Sequence, residues 1–282
     1  MISVDQLCNV LARIAPPRLA ESWDNVGLLV GDRQQAVERV MTCLTLSPAV
    51  VDEAIQARAD LVVVHHPLPF KPLHRITTDT PAGTMLLRLM ASKVAIYSAH
   101  TAFDSAERGI NQMWAERLEL QAIEPLIVPA QNGAVDRVAV DGAADLRATD
   151  GGTVVGAGRR GRLAAPISLR DLLHRAAQVV AAPHPRFVGD PNQRIVKVAV
   201  ACGSGGSFLA AAKRNGCDAI ITGEATFHQC LEAAAFGIGL VLLGHYWSER
   251  FAMEHLAVQL STELEGLTIW PSRSECDPIR TV

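Results

Sequence analysis

Two adjacent histidines, His65-His66, and two His-x-x-x-acid pairs, His100 with Asp104 and His245 with Glu249, are the residues of this 282-residue chain that point to metal chemistry. The adjacent pair follows Leu61-Val62-Val63-Val64, a short apolar run of the kind found in parallel strands buried on both faces. Pro67 cannot donate to a sheet ladder, so the strand must end at the histidines. The carboxyl ends of strands in open α/β sheets are where ligands and metals collect. Neighbouring side chains tend to diverge there, which suits two adjacent ions better than chelation of one. The competing account is a pair of surface histidines just past a strand.

His245 and Glu249 share one face if they open a helix, because residues four apart are neighbours on a helix surface. Together these motifs supply two or three histidines plus Asp104 and Glu249. Imidazole and carboxylate without thiolate suit Zn, Fe, Mn or Ni rather than a structural cysteine site. A carboxylate such as Asp104 or Glu249 could bridge two ions roughly 3.5–4 Å apart, an arrangement used to activate water and polarise a substrate oxygen. His100, Glu224 and His228 are the general acid/base candidates, and each could equally be a hydrogen-bond partner of a ligand.

The elements that must position these groups follow from local pattern. Ser3 caps a helix with Leu7, Val10, Leu11 and Ile14 on one face, and Pro16-Pro17 stops it. Trp23-Asp24-Asn25 leads into a strand that ends at Gly31, and is either a binding loop or a tight turn. Arg39 to Leu46 reads as a strand, and Ser47-Pro48 starts a helix running to about Ala59. A long loop from Pro67 to Pro81 follows the histidines, a length that often covers a site. Helices are expected over Thr84–Ser92, Asn111–Leu118 and Ser168–Val180, with strands over Val94–Ala99 and Ile195–Ala201. Residues 123–165 read as short strands and loops, including a basic turn, Gly156-Ala157-Gly158-Arg159-Arg160-Gly161-Arg162. Gly203 to Ser207 forms a strand-to-helix turn whose amides could cradle a phosphate, although close packing of helix on sheet would also require those glycines. Lys71 and Arg159 are further candidates for phosphate contacts.

The chain also contains itself twice. Asp60-Leu61-Val62-Val63-Val64-His65-His66 aligns without a gap on Asp218-Ala219-Ile220-Ile221-Thr222-Gly223-Glu224. Each is preceded by a strand, a Ser/Pro/Gly turn and an Ala-rich helix. Each is followed by a further strand and a His-x-x-x-acid motif. Two matches in the same order point to duplication of an α/β unit.

Composition narrows the function. With 49% hydrophobic and 20% charged residues and a net charge of −3, the chain has no electrostatic footprint for nucleic acid or an anionic membrane. Six cysteines, none in a C-x-x-C pair, suggest buried thiols in a reducing compartment. The N-terminus lacks the basic and apolar regions of a signal peptide, and no apolar run approaches the ~20 residues of a bilayer span. A cytoplasmic protein is expected.

Taken together, Trp23 to Leu28, His65-His66-Pro67-Leu68, Phe70 to Leu73, His100-Thr101 with Asp104, Gly158 to Gly161, Gly203 to Gly205, Thr222-Gly223-Glu224, and Gly244-His245-Tyr246 with Ser248-Glu249 resemble the Nif-three-like family (NGG-interacting factor three). Its bacterial members often carry the name GTP cyclohydrolase I type 2. The resemblance spans nearly the whole chain. It implies an α/β fold made by duplication of two similar, intertwined three-layer α/β/α domains with mixed sheets. These would cover 1–125 and 126–282, with segments exchanged between them. It implies a dinuclear centre of two divalent ions held by His65, His66, Asp104, His245 and Glu249. It further implies a homo-oligomer, commonly a hexameric ring, and hydrolysis of a nucleotide such as GTP. The chain departs from the family at Phe227, where two histidines usually follow the Gly-Glu motif and only His228 remains. It departs again at Thr45, where an Asp is common. Two functions stay open: a dimetal hydrolase acting on a nucleotide-like heterocycle, and a non-catalytic metal-binding assembly or regulatory protein.

Overall fold

The computed structural model describes residues 2–127, 149–150 and 153–280. The chain divides into two compact units, Met1–Phe103 with Arg250–Val282, and Asp104–Glu249. The part of the expected strand-and-loop region at 128–148 and 151–152 lies outside the described residues.

The first unit is built on a five-stranded sheet in the order Thr268–Pro271, Arg39–Cys43, Leu61–Val64, Ala95–Ser98, Gly27–Val30. Only the last pairing is antiparallel. All four residues of Leu61–Val64 are buried, which is why that run is apolar without alternation. Met41, Val62, Val64 and Ile96 face a cluster completed by Val50, Val51 and Ala54 of helix Pro48–Gln56 and by Leu86 and Leu89 of helix Pro81–Ala91. The alternate residues face the other way. There the Thr42 hydroxyl donates to the Met253 carbonyl (2.7 Å), so the helix running on from Arg250 covers that face. Helix Pro81–Ala91 begins earlier than its apolar pattern suggests, because Thr80 accepts the Gly83 amide and Pro81 fits the first turn. The C-terminal strand is tied down by Glu53. Its carboxylate accepts the amides of Arg273 and Ser274, the Ser272 hydroxyl and the Trp270 indole N–H.

The second unit carries a six-stranded sheet in the order Arg186–Val188, Gly239–Leu242, Ala219–Thr222, Arg194–Ala201, Ala157–Ser168, Gln121–Ile127. Its three consecutive strands Gly239–Leu242, Ala219–Thr222 and Arg194–Ala201 are parallel, and the remaining pairings are antiparallel. Ala199, Ala201, Ile220, Leu240 and Leu242 form one buried cluster with Leu209, Ala211 and Ala212 of helix Leu209–Arg214 and with Ala233 of helix Phe227–Phe236. Helices Ile110–Arg117 and Leu169–Val180 pack on strands Ala157–Ser168 and Arg194–Ala201. Among the described residues no helix is long and apolar enough to cross a membrane.

The duplication is visible bond by bond. Val40 pairs with Leu61 as Val198 pairs with Ala219. Asp60 Oδ2 accepts the amides of Glu38 and Arg39, and Asp218 Oδ2 accepts those of Val196 and Lys197, all at 2.8 Å. The Gln35 side chain donates to the carbonyls of Asp60 and Lys93, and that of Gln193 to Asp218 and Gly237. Ser3 and Ser168 cap equivalent helices, whose first amides donate to the carbonyls of Gln35 and Gln193.

The basic stretch around Arg159 is not a turn but lies on the 12-residue strand Ala157–Ser168. A Cβ at Gly161 would lie 2.8 Å from the Leu120 side chain, so the glycine there serves close packing on the sheet rather than a bend.

Removing the carboxylate of either duplicated aspartate leaves two backbone amides without an acceptor. Asp60→Ala and Asp218→Ala are each expected to lower unfolding free energy by about 1–3 kcal/mol. Urea denaturation of the two variants would test this, and equal stability to wild type would show that the shared geometry carries no energy.

Candidate metal centre

Every ligand candidate sits at, or one turn beyond, the carboxyl end of a parallel strand. In the first unit, His65 and His66 follow Leu61–Val64, with amides bonded to the carbonyls of Cys43 and Leu44. His100 opens helix His100–Ser105 directly after strand Ala95–Ser98. One ring nitrogen from each of His65, His66 and His100 lies within 4.8 Å of those of the other two. His65 is fully buried.

Two of these rings are held by oxygen. Thr45 Oγ1 lies 2.7 Å from His66 Nδ1, and Asp24 Oδ1 lies 2.7 Å from His100 Nδ1. The same Asp24 carboxylate accepts the Thr101 amide and hydroxyl. Burial alone would raise the Asp24 carboxyl, but the bonds and charge from His100 and the bonds from Thr101 and Asn25 hold it below its ordinary range. Behind Thr45, Glu275 accepts the amides of Leu44 (2.9 Å) and Thr45 (2.5 Å) and pairs with Arg250.

In the second unit, His245 opens helix His245–Glu263 after strand Gly239–Leu242. Its Nε2 lies 3.1 Å from Glu249 Oε2, the i,i+4 pairing expected on a shared helix face. Its Nδ1 lies 2.9 Å from Glu224 Oε1, which also accepts the Ser204 hydroxyl. Burial pulls the His245 imidazole towards neutrality, but the two carboxylates outweigh it and push its pKa up to about 9. Glu224 is correspondingly lowered, by Ser204 first and His245 second. Asp104 Oδ1 accepts the Cys202 thiol at 3.2 Å, and burial together with Asp104 and Glu249 pushes that thiol well up.

Gly203 makes this approach possible. Its φ is +60°, and a Cβ there would lie 2.2 Å from Glu249 Oε1. Its amide donates to Ser248 Oγ and its carbonyl accepts from Gly223, Glu224 and Thr222. The Gly205 amide donates to Thr222 Oγ1, and a Cβ at Gly206 would meet Gln229. These glycines therefore serve close packing, and the amides of Gly203 and Gly205 are committed inside the unit rather than offered to a phosphate.

Arg159 is no anion site either. It is 1% exposed and donates to the carbonyls of Gly156, Gly158, Ser105 and Ala106 and to the Gln112 side chain. Burial lowers its pKa to about 10. Lys71 lies exposed in the loop after Pro67, and His228 is exposed with its ring edge-on to Phe227.

Three supports escaped the pattern reading: Asp24 behind His100, Thr45 behind His66, and Cys202 against Asp104. Each lies 21 to 98 residues from its partner. The only local signal was the polar Trp23-Asp24-Asn25 before an apolar run.

Gly203→Ala must place a side chain at a left-handed backbone position and against Glu249. A loss of about 1–3 kcal/mol in unfolding free energy is expected. A chemical melt indistinguishable from wild type would show that the backbone can yield there.

Comparisons with known proteins place the chain in a family. The pattern described as Duf34/NIF3 (NGG1p interacting factor 3) matches residues 2–278. The GTP cyclohydrolase 1 type 2 homolog of Clostridium acetobutylicum is 32% identical over 265 residues, 94% of this chain and 90% of that protein. The protein NIF3 homolog of Schizosaccharomyces pombe is 32% identical over 294 aligned positions, 98% of this chain and 97% of that protein. The crystal structure of a Bacillus cereus protein related to NIF3 shares the fold with a TM-score of 0.83 at 23% identity, over 99% of both chains. The chain belongs to the Duf34/NIF3 family.

Proposed function

We propose that this protein is a metal-dependent hydrolase of a nucleotide-like substrate, with His65, His66, Asp104, His245 and Glu249 holding two divalent ions drawn from Zn, Fe, Mn and Ni. The observation that carries the reading is the backing of the imidazoles. Nδ1 of His66 and of His245 is taken by Thr45 and Glu224, so Nε2 of each is the nitrogen to meet an ion. The donor set fits such a group. Two ligands about 2.0–2.1 Å from a tetrahedral ion stand about 3.3 Å apart, against 3.1 Å for His245 Nε2 and Glu249 Oε2.

Divalent ions at such a centre supply Lewis acidity, which polarises a C–N or phosphoryl bond and eases deprotonation of water. The chain's own residues do the rest. Glu224 fixes the His245 ring, and Asp24 fixes His100. His100, grouped with His65 and His66 and paired through Nδ1 to a carboxylate, is the group suited to hold or pass a proton through its other nitrogen. Relatives named GTP cyclohydrolase 1 type 2 homolog support GTP as the first substrate to try.

The second reading, a non-catalytic metal-binding assembly protein, is favoured by one feature. Phe227 and Leu231, one turn apart on helix Phe227–Phe236, are 74% and 52% exposed, which suits a face covered by further subunits. Under either reading we expect a cytoplasmic homo-oligomer, with a hexameric ring as the form to look for.

Metal analysis with activity assays separates the two. GTP turnover should vanish with a chelator and return with added metal. His65→Ala and Glu249→Ala should lose bound metal and turnover together while keeping wild-type circular dichroism. Fully metallated protein that turns over neither GTP nor simple phosphoesters would leave only the assembly reading. Separately, Glu224→Gln should weaken metal binding about 10- to 100-fold by loosening His245, and unchanged affinity would show that Glu224 does not orient a ligand.

A further inference from the structure

The loop before the first unit's antiparallel strand presents a large ring to solvent beside the imidazoles. Trp23 is 49% exposed and Phe70, in the loop after Pro67, is 44% exposed. The two rings meet edge to face with centroids 5.9 Å apart. Each also stands edge to face with His100, at 6.1 Å. The three rings are steeply inclined to one another, at 64°, 74° and 85°, and so make a corner of aromatic walls.

Neither exposed ring is loosely held. The Asp24 amide donates to the Glu21 carbonyl, and the Glu21 amide to Thr101 Oγ1. Asp24 binds His100 and Thr101, and Asn25 Nδ2 donates to the Pro69 carbonyl at 2.7 Å, next to Phe70. The backbone on either side of Trp23 is thus fastened to the helix bearing His100 and to the loop bearing Phe70. Two half-exposed aromatic faces, held in place against an imidazole group, match the anatomy of a small-molecule seat, where apolar walls flank a few placed polar atoms.

We propose that Trp23 and Phe70 form the seat for a planar heterocycle, a purine-type base in the first instance, that lies against His100. The occupant is inferred from shape and neighbourhood. A flat π-face stacks on one ring while meeting the edges of the other two. Such stacking tolerates any base, because every base has a π-face. The seat rests on the hydrolase reading for the identity of the heterocycle, but its test does not depend on turnover.

The test uses the metal-loaded full chain with two probes: guanosine, which has a base and no phosphate, and ribose 5-phosphate, which has no base. Guanosine should bind and quench tryptophan emission. Trp23→Ala and Phe70→Ala should each weaken guanosine about 10- to 100-fold while leaving ribose 5-phosphate affinity and metal content unchanged. Trp23→Phe keeps an aromatic wall, so it should retain guanosine affinity but lose most of the quench. That variant decides the matter if an alanine variant fails to fold or loses metal.

The proposal is overturned if wild type does not bind guanosine, or if guanosine affinity ignores both alanine substitutions. It is also overturned if the substitutions change only the oligomeric mass, which would make these rings a subunit contact. Guanosine binding through Trp23 without any GTP turnover would uphold the seat and defeat the hydrolase reading. Turnover with guanosine affinity indifferent to both rings would do the reverse.

Discussion

At the start of each middle strand a carboxylate, Asp60 in one unit and Asp218 in the other, holds two amides of the strand before it. Those bonds set which residue of the strand stands opposite which. Because successive side chains point to opposite faces, a slip of one position would exchange the residues of the two packed faces and shift the residues at the strand end. With Val40 opposite Leu61 and Val198 opposite Ala219, the apolar residues fill both faces. The first residues past the ladder are then His65 and His66 in one copy and Gly223 and Glu224 in the other. The chemistry at the strand ends is therefore a consequence of bonds made at the strand beginnings.

Oxygen atoms do the remaining positioning. Asp24, Thr45 and Glu224 each engage Nδ1 of an imidazole, at 2.7, 2.7 and 2.9 Å. They are not equivalent. The Glu224 and Glu249 carboxylates raise the basicity of the His245 ring, whereas the partner of His66 is a neutral hydroxyl. Thr45 is in turn held by Glu275 from the C-terminal segment, which accepts its amide. On the other unit, Gly203 lets main chain come up against Glu249 where any side chain would intrude. Both copies thus build their polar ends from backbone approach and carboxylates, by different means.

Much of this was legible because it is local. Ser3 foretold the cap of the first helix, and its side chain accepts the Gln6 amide there. The run Leu61–Val64 foretold a buried parallel strand, and the gapless match of 60–66 to 218–224 foretold the duplication that the hydrogen bonds repeat. What stayed hidden depends on partners far along the chain. Arg159 reads as part of a basic turn because only the fold brings the carbonyls of Ser105 and Ala106 to its guanidinium. Nothing in Thr268-Ile269-Trp270-Pro271 announces that it pairs with Arg39–Cys43. The support of His100 by Asp24 crosses 76 residues and has no periodicity to betray it.

The C-terminal strand has a bearing on how the protein comes off the ribosome. The second unit is one continuous stretch, Asp104–Glu249, whereas the first needs both Met1–Phe103 and Arg250–Val282. Synthesis runs from the N-terminus at about 5–20 residues per second. The strand Arg39–Cys43 must therefore wait, with one edge open, for more than two hundred further residues before Thr268–Pro271 can close it. The part begun first is finished last. During that interval the open edge can pair with another nascent chain, and Glu53 has no Arg273 or Ser274 amide to hold until those residues have been made.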